Sequence, residues 1–327
     1  MAPTLAELLD GARLVALPLA TRFRGIDTRE AMLLRGPEGW SEFSPFPEYP
    51  DAEAATWLAG AISYGWHPAP PALRESIPVN ATLPAVGPER VDEVLARFPG
   101  ARTVKVKVAE RGQRLADDVA RVRATRAFLG AEGRIRIDAN GAWNVDEAER
   151  AAHELAPFDL EYLEQPCATV PELAELRARL HDWDLPVAAD ESVRKASDPL
   201  EVARAGAADL LVLKAQPLGG VAAALRIANE AGLPVVVSSA LDTSVGLAMG
   251  AALAAALPEL DFDCGLGTAA LLAADVTSEP LLPRDGAIRV GRVEPDEDLL
   301  ERYAAPPERA AWWRERLTRS FGYLSPE

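Results

Sequence analysis

Lysine is scarce in this chain. Of its 34 basic residues only four are lysine, Lys105, Lys107, Lys195 and Lys214, and the rest are arginine. Arginine stays protonated at any working pH, whereas burial or a neighbouring charge can strip lysine of its proton, so the four lysines are the first candidates for proton transfer. Histidine is scarcer still. His67, His153 and His181 lie far apart with no ligand-like spacing, which argues against a histidine zinc site and a histidine-based triad. Cys167 and Cys264, the two cysteines, are too few for a disulfide framework and fit a reducing cytoplasm. The apolar run at 14–20 is too short to span a bilayer, and Glu7 and Asp10 precede it where a signal peptide would be basic, so no export is expected. Positive charge is also in deficit: 34 basic against 50 acidic residues leave a net charge of −16, which argues against nucleic acid or an anionic membrane as partner. A small anionic substrate would need a local positive site.

What is present is a soluble, globular composition, 49% hydrophobic over 327 residues, enough for a barrel-sized domain and a smaller one. Residues 1–83 carry short strand-like runs at 14–17, 31–34 and 39–43, broken by Gly and Pro, and a helical stretch at 51–64, which predicts an α+β domain. Its loops Phe23-Arg24-Gly25 and Ser44-Pro45-Phe46-Pro47 hold aromatic and basic groups able to reach a ligand. From 84 to 274 the chain keeps a beat: strands at 103–108, 134–138, 160–163, 186–190, 209–214 and 234–238, each followed by a helical pattern. Strand alternating with helix means parallel strands and crossovers, and this many units predict a closed (β/α)8 barrel of the TIM type. No strand opens into a Gly-x-Gly-x-x-Gly turn, which weighs against a doubly wound open sheet. The tail, 275–327, has a hairpin-like run at 286–291 and a helix carrying Trp312 and Trp313, expected to complete the cap by burying its tryptophans.

In Thr103-Val104-Lys105-Val106-Lys107-Val108 the alternation puts Lys105 and Lys107 on one face and the valines on the other. The other reading of such a pair is a solvated edge strand. The remaining strand ends are also polar: Asp138 with Asn140, Glu164, Asp190 with Glu191, Lys214, and Ser238 with Ser239. The carboxylates recur 26 residues apart, then Lys214 follows 24 residues later. In a barrel of parallel strands the C-terminal ends share one rim, so these groups converge. Three carboxylates without histidine or thiolate make an all-oxygen site suited to a hard divalent cation such as Mg²⁺, with Mn²⁺ as an alternative ion.

The Lys105-Val106-Lys107 strand, Asp138-Ala-Asn140-Gly-Ala-Trp143, Leu163-Glu164-Gln165-Pro166, Ala189-Asp190-Glu191-Ser192 and Leu213-Lys214 together resemble the enolase superfamily, muconate-lactonizing-enzyme subgroup. That resemblance implies a capping domain made from the N-terminal segment and the tail, around a modified barrel. It implies Asp138, Glu164 and Asp190 as Mg²⁺ ligands with Glu191 behind them, Lys107 as general base, Lys105 as its electrostatic partner, and Lys214 on the opposite face. Lys105 and the cation would depress the Lys107 pKa from its reference of about 10.4. Ser238-Ser239-Ala240, Cys264-Gly265-Leu266-Gly267-Thr268 and the cap loop at Ser44 are similar to the o-succinylbenzoate synthase family in its actinobacterial-like form. This implies a lyase of menaquinone biosynthesis, a dehydratase acting on a small carboxylate, with Asn140, Ser238, Ser239 and the backbone at Gly265 and Leu266 facing the substrate. The alternatives are an N-succinylamino-acid racemase or dipeptide epimerase, and a non-catalytic binding protein on the same fold. Asp261-Phe262-Asp263 resembles the Asp-x-Asp of epimerases but reads here as a strand end or cap.

Overall fold

The computed structural model describes residues 2–194 and 198–324, so Lys195 lies outside the described residues. Near the N-terminus three strands, β1 (Arg13–Phe23), β2 (Ile26–Gly36) and β3 (Gly39–Phe43), form an antiparallel meander. The first hairpin turns on Arg24 and Gly25, both at positive φ (49° and 79°), the two-residue geometry whose twist matches that of the strands. Helix Asp51–Trp66 lies across this sheet with Trp57 and Leu58 buried, and Gly36 meets Gly65 so closely that a Cβ at Gly36 would sit 2.0 Å from a carbonyl oxygen. Helix Pro307–Phe321 returns from the far end of the chain to the same core: Trp313 is buried edge-on to Phe43, 5.8 Å between ring centroids, and its Nε1 donates to Glu30 Oε2 at 2.8 Å. The tail strand differs from the hairpin expected at 286–291. Asp285 and Gly286, at φ 50° and 76°, do make a tight turn, but β12 (Ala287–Arg289) takes as its partner β4 (Ser76–Pro78), distant in sequence.

The second body is a parallel sheet in strict chain order: β5 (Ala81–Leu83), β6 (Thr103–Lys107), β7 (Arg134–Asp138), β8 (Leu160–Glu164), β9 (Val187–Ala189), β10 (Leu210–Leu213) and β11 (Val235–Val237). The segment before residue 84, read from sequence as part of the cap, thus contributes a strand here. The ring is closed by a stave of only two residues. Cys264 bridges Val79 and Gly265 bridges Ser238, all in parallel sense, with Cys264 N donating to Pro78 O and Gly265 N to Val237 O, both at 2.8 Å. Helices wrap the outside, and two begin at reciprocal caps, Asn144 with Glu147 and Thr169 with Glu172, which satisfy backbone donors that would otherwise be orphaned. Valines and isoleucines of β6 and β7 join the main apolar core, while Thr103, Lys105 and Lys107, or Arg136 and Asp138, share the polar inner face. No helix among the described residues is long and apolar enough to cross a membrane.

Candidate active site

Strand order alone places the lysines. In a closed ring of eight staves, β6 and β10 stand four places apart, so Lys107 at the end of β6 and Lys214 just past β10 face each other across the mouth. The arc between them holds Asp138 at the end of β7, Glu164 at the end of β8 and Asp190 just past β9. All three carboxylates are buried. Lys107 Nζ is 2.5 Å from Asp138 Oδ2 and donates to Asn140 Oδ1 at 2.9 Å. Lys105 Nζ bridges Glu164 Oε1 at 2.9 Å and Asp138 Oδ2 at 3.3 Å, and Lys214 Nζ lies 2.5 Å from Asp190 Oδ2.

Burial dominates the electrostatics, and the charge pairs correct it. Burial lowers Lys107 and the nearby Lys105 adds to that, so despite Asp138 its ammonium holds its proton less tightly than a free lysine. For Lys105 burial acts the same way but Glu164 and Asp138 outweigh it, leaving Lys105 above its ordinary value. Burial would raise Asp138, yet Lys107 and Lys105 hold it well below the usual carboxylate range; Lys214 and Arg194 do the same for Asp190. Glu164 goes the other way. Burial and the Asp138 charge push it up to about 7, against the pull of Lys105. Burial and the neighbouring carboxylates therefore outweigh the lysines at Glu164 alone, the crowded member of the three.

That crowding bears on whether the residues suit a metal. Among the described residues no three carboxylate, thiolate or imidazole groups converge into a coordination cluster, since the nearest charges to Asp138, Glu164 and Asp190 are the ammonium groups. The donor chemistry nonetheless fits a hard divalent cation: all ligand candidates are oxygen, and Glu191 adds a buried Oε2 with no hydrogen-bond partner among the described residues. Glu191 Oε1 accepts from Asn140 Nδ2 at 3.2 Å and Arg194 Nη2 at 2.7 Å.

A cavity opens over this rim, lined by Lys105, Lys107, Asp138, Asn140, Asp190, Glu191, Lys214, Ser238, Ser239 and Gly265, all singled out in the sequence. Glu164 lies beneath it, next to Lys105, and Leu266 does not line it; its side chain packs against helix Ser244–Ala256 at Gly250. Ser239 Oγ is tied to Gly265 O at 2.7 Å and to Thr268 Oγ1 at 2.8 Å. From the cap come Phe23, Arg24 and Phe46, as the two loops suggested, while Ser44 instead links Arg29 and Glu42 inside the cap. The sequence reading missed Tyr49, Arg194, Thr82 and Leu241 in the lining, and Ala240 and Thr268 entered it only as parts of quoted motifs. Arg194 had a signal. It stands four residues after Asp190 in a one-turn helix, and its Nε reaches Asp190 Oδ1 at 3.1 Å while Nη1 reaches Tyr49 OH at 3.2 Å. Asp263 sits at the opposite end of the barrel, accepting from Thr103 Oγ1 at 2.6 Å and Arg134 Nη2 at 2.8 Å, which removes the Asp-x-Asp from the pocket.

Known proteins are similar to this chain. The family model described as Enolase C-terminal domain-like matches residues 89–297, and that described as Enolase N-terminal domain-like matches 14–65. O-succinylbenzoate synthase of Mycobacterium tuberculosis (strain H37Rv) is 56% identical over 325 residues, 99% of this chain and 98% of the relative. That of Mycolicibacterium smegmatis is 57% identical over 316 residues, 96% of each. Among solved structures, muconate lactonizing enzyme from Pseudomonas fluorescens superposes with a TM-score of 0.77 at 23% identity, covering 90% of this chain and 98% of that one. N-succinyl Arg/Lys racemase from Bacillus cereus gives 0.75 at 19% identity, over 90% and 97%, a likeness of fold alone. The chain belongs to the enolase superfamily and, within it, to the o-succinylbenzoate synthase family.

Proposed function

We propose that the chain is an o-succinylbenzoate synthase, a lyase that dehydrates 2-succinyl-6-hydroxy-2,4-cyclohexadiene-1-carboxylate to 2-succinylbenzoate in cytoplasmic menaquinone biosynthesis. The observation that carries the reading is the facing pair Lys107 and Lys214 over buried carboxylates, in a chain more than half identical to enzymes of that name. Lys107, whose burial favours the neutral amine, takes the proton from the carbon bearing the carboxylate. The C–O bond to the ring hydroxyl then breaks, its electron pair leaves with oxygen, and Lys107 returns the proton, so that water departs and the ring becomes aromatic. No oxidant is consumed. Lys214 faces the developing negative charge from the other side, a cation over a delocalised ring. Lys105 holds Glu164 and Asp138 in place and keeps positive charge near Lys107. Asn140 fixes the Lys107 ammonium, and Ser238, Ser239 and the backbone at Gly265 hold the succinyl oxygens; Leu266, outside the cavity, takes no part. Enolase superfamily members use a divalent metal; here Asp138, Glu164 and Asp190 would hold Mg²⁺, with Glu191 behind them, and it would supply positive charge to the substrate carboxylate.

The test is loss of diene absorbance with purified protein, with Mg²⁺ and with chelator, beside Lys107→Ala. Metal-dependent turnover that the variant lacks supports both the reaction and the base. No turnover by metal-loaded wild type sinks the reading, and exchange at the α-carbon of N-succinylamino acids in deuterated water without dehydration would move it to the racemase branch.

A further inference from the structure

A second cleft, of about 1,110 Å³, lies between the tip of the β1–β2 hairpin and the loops that follow β5 and β6. Phe23, Arg24, Lys107 and Asn140 line both this cleft and the inner cavity, so the two adjoin on the Lys107 side. Its outer walls carry Arg22, Arg24, Arg90 and Arg111 against a single carboxylate, Glu110. Arg90 is neutralised by Glu93 at 3.0 Å. Among the described residues Arg22, Arg24 and Arg111 form no ion pair: Arg22 donates to Gly25 O at 3.1 Å and Arg24 to Tyr49 OH at 3.4 Å. Inside the pocket, by contrast, every lysine stands on a carboxylate.

The contrast matters because the chain as a whole carries −16, which repels a dianion at long range. Only a patch of uncompensated positive charge within a Debye length of about 8 Å of the opening can reverse that. We infer that this arginine-lined cleft is the entrance to the active site, steering a dicarboxylate past the hairpin tip to Lys107. The inference rests on the dicarboxylate substrate proposed above and adds the route and the groups that set its rate. Arg22 and Arg111 stand outside the inner cavity, on opposite walls of the cleft, and act on capture rather than on the chemistry.

The experiment is kcat and kcat/KM from 20 mM to 0.5 M salt for the metal-loaded wild type, the double variant Arg22→Glu/Arg111→Glu, and a double variant with the same change in net charge made outside both cavities, Arg123→Glu/Arg150→Glu. Stopped-flow association of 2-succinylbenzoate, followed by tryptophan fluorescence, accompanies it. Steering predicts that the first variant loses about tenfold in kcat/KM at low salt and less than about twofold at 0.5 M, with kcat kept, while the distant variant follows wild type. Equal salt slopes in all three proteins overturn the entrance and leave the synthase reading standing, as does a fall in kcat with the slope intact. If wild type fails to turn over, the synthase reading falls, and the association rates decide the entrance alone: a salt dependence lost in Arg22→Glu/Arg111→Glu supports it, and none in wild type overturns it.

Discussion

Asp242 offers a sharp test of the electrostatic reasoning away from the metal ligands. It lies in the joint between cap and barrel, 5% exposed; among the described residues its Oδ2 accepts only a long bond from Ala240 N, 3.4 Å, and its Oδ1 has no partner. Glu42 of β3 faces it, itself fully buried and accepting from Thr243 Oγ1 at 2.6 Å and Gly246 N at 3.1 Å, while Arg29 of β2, the Ala240 N–H and Lys214 pull the other way. Burial first and Glu42 second push Asp242 from its ordinary 3.8 up to about 7. Between those two values the native protein holds one proton more than the unfolded chain, so this group's contribution falls as pH rises, by about 1.4 kcal/mol per unit, and levels off above 7. From pH 5.5 to 8 the loss is about 2 kcal/mol. A neutral amide at this position has no such proton to lose. Asp242→Asn should therefore match wild type within about 1 kcal/mol at pH 5.5 and gain on it by about 2 kcal/mol at pH 8, in urea unfolding followed by tryptophan fluorescence. Parallel pH profiles for the two proteins would refute the reasoning, because titrations elsewhere, including Glu164, are common to both.

Three further outcomes follow from packing. Arg316 of the last helix donates to Pro45 O, Phe46 O and Tyr49 O at 3.3, 3.0 and 2.7 Å, so Arg316→Leu should cost about 2–4 kcal/mol and raise KM more than it lowers kcat, by freeing the loop that carries Phe46 and Tyr49 into the pocket. Steady-state kinetics with an unchanged KM would contradict that role. A Cβ on Gly265 would stand 2.4 Å from Ser238 Oγ and 3.1 Å from Ser238 Cβ, so Gly265→Ala should strain the closing stave by about 1–3 kcal/mol, visible as a lower melting temperature. Burial pushes the thiols of Cys167 and Cys264 up to about 12, so iodoacetamide at pH 8 should label neither in the native protein and both after unfolding, as mass spectrometry would show.

The barrel was legible because strand-like runs that end at polar residues recur at near-constant spacing along the chain; β7 falls on the residues expected. Lys107, Asp138, Glu164, Asp190 and Lys214 could be read together since strand ends share a rim whatever the loops do. Legibility failed where structure depends on distant partners. The closing stave, Cys264 and Gly265, is too short for any periodicity, and β5 is three residues whose pairing with β6 no local pattern announces. The run at 286–291 has the turn of a hairpin, yet its neighbour in space is Ser76–Pro78. Tyr49 enters the pocket from a Pro-rich loop held by Arg316, a contact across more than 260 residues.

The cap's construction bears on the order in which the protein is made. Strands β1 to β3 leave the ribosome before the barrel, but Glu30 and Phe43 wait for Trp313, and the loop bearing Phe46 and Tyr49 waits for Arg316. Every stave of the barrel is synthesised in that interval. A nascent chain can thus assemble the rim of lysines and carboxylates while the surface meant to cover it is still unfinished, its apolar face open to other partners. Competence for catalysis would await a single docking event, that of helix Pro307–Phe321. A premature stop near residue 305 should leave a barrel that folds and does not bind, a failure of recognition rather than of chemistry.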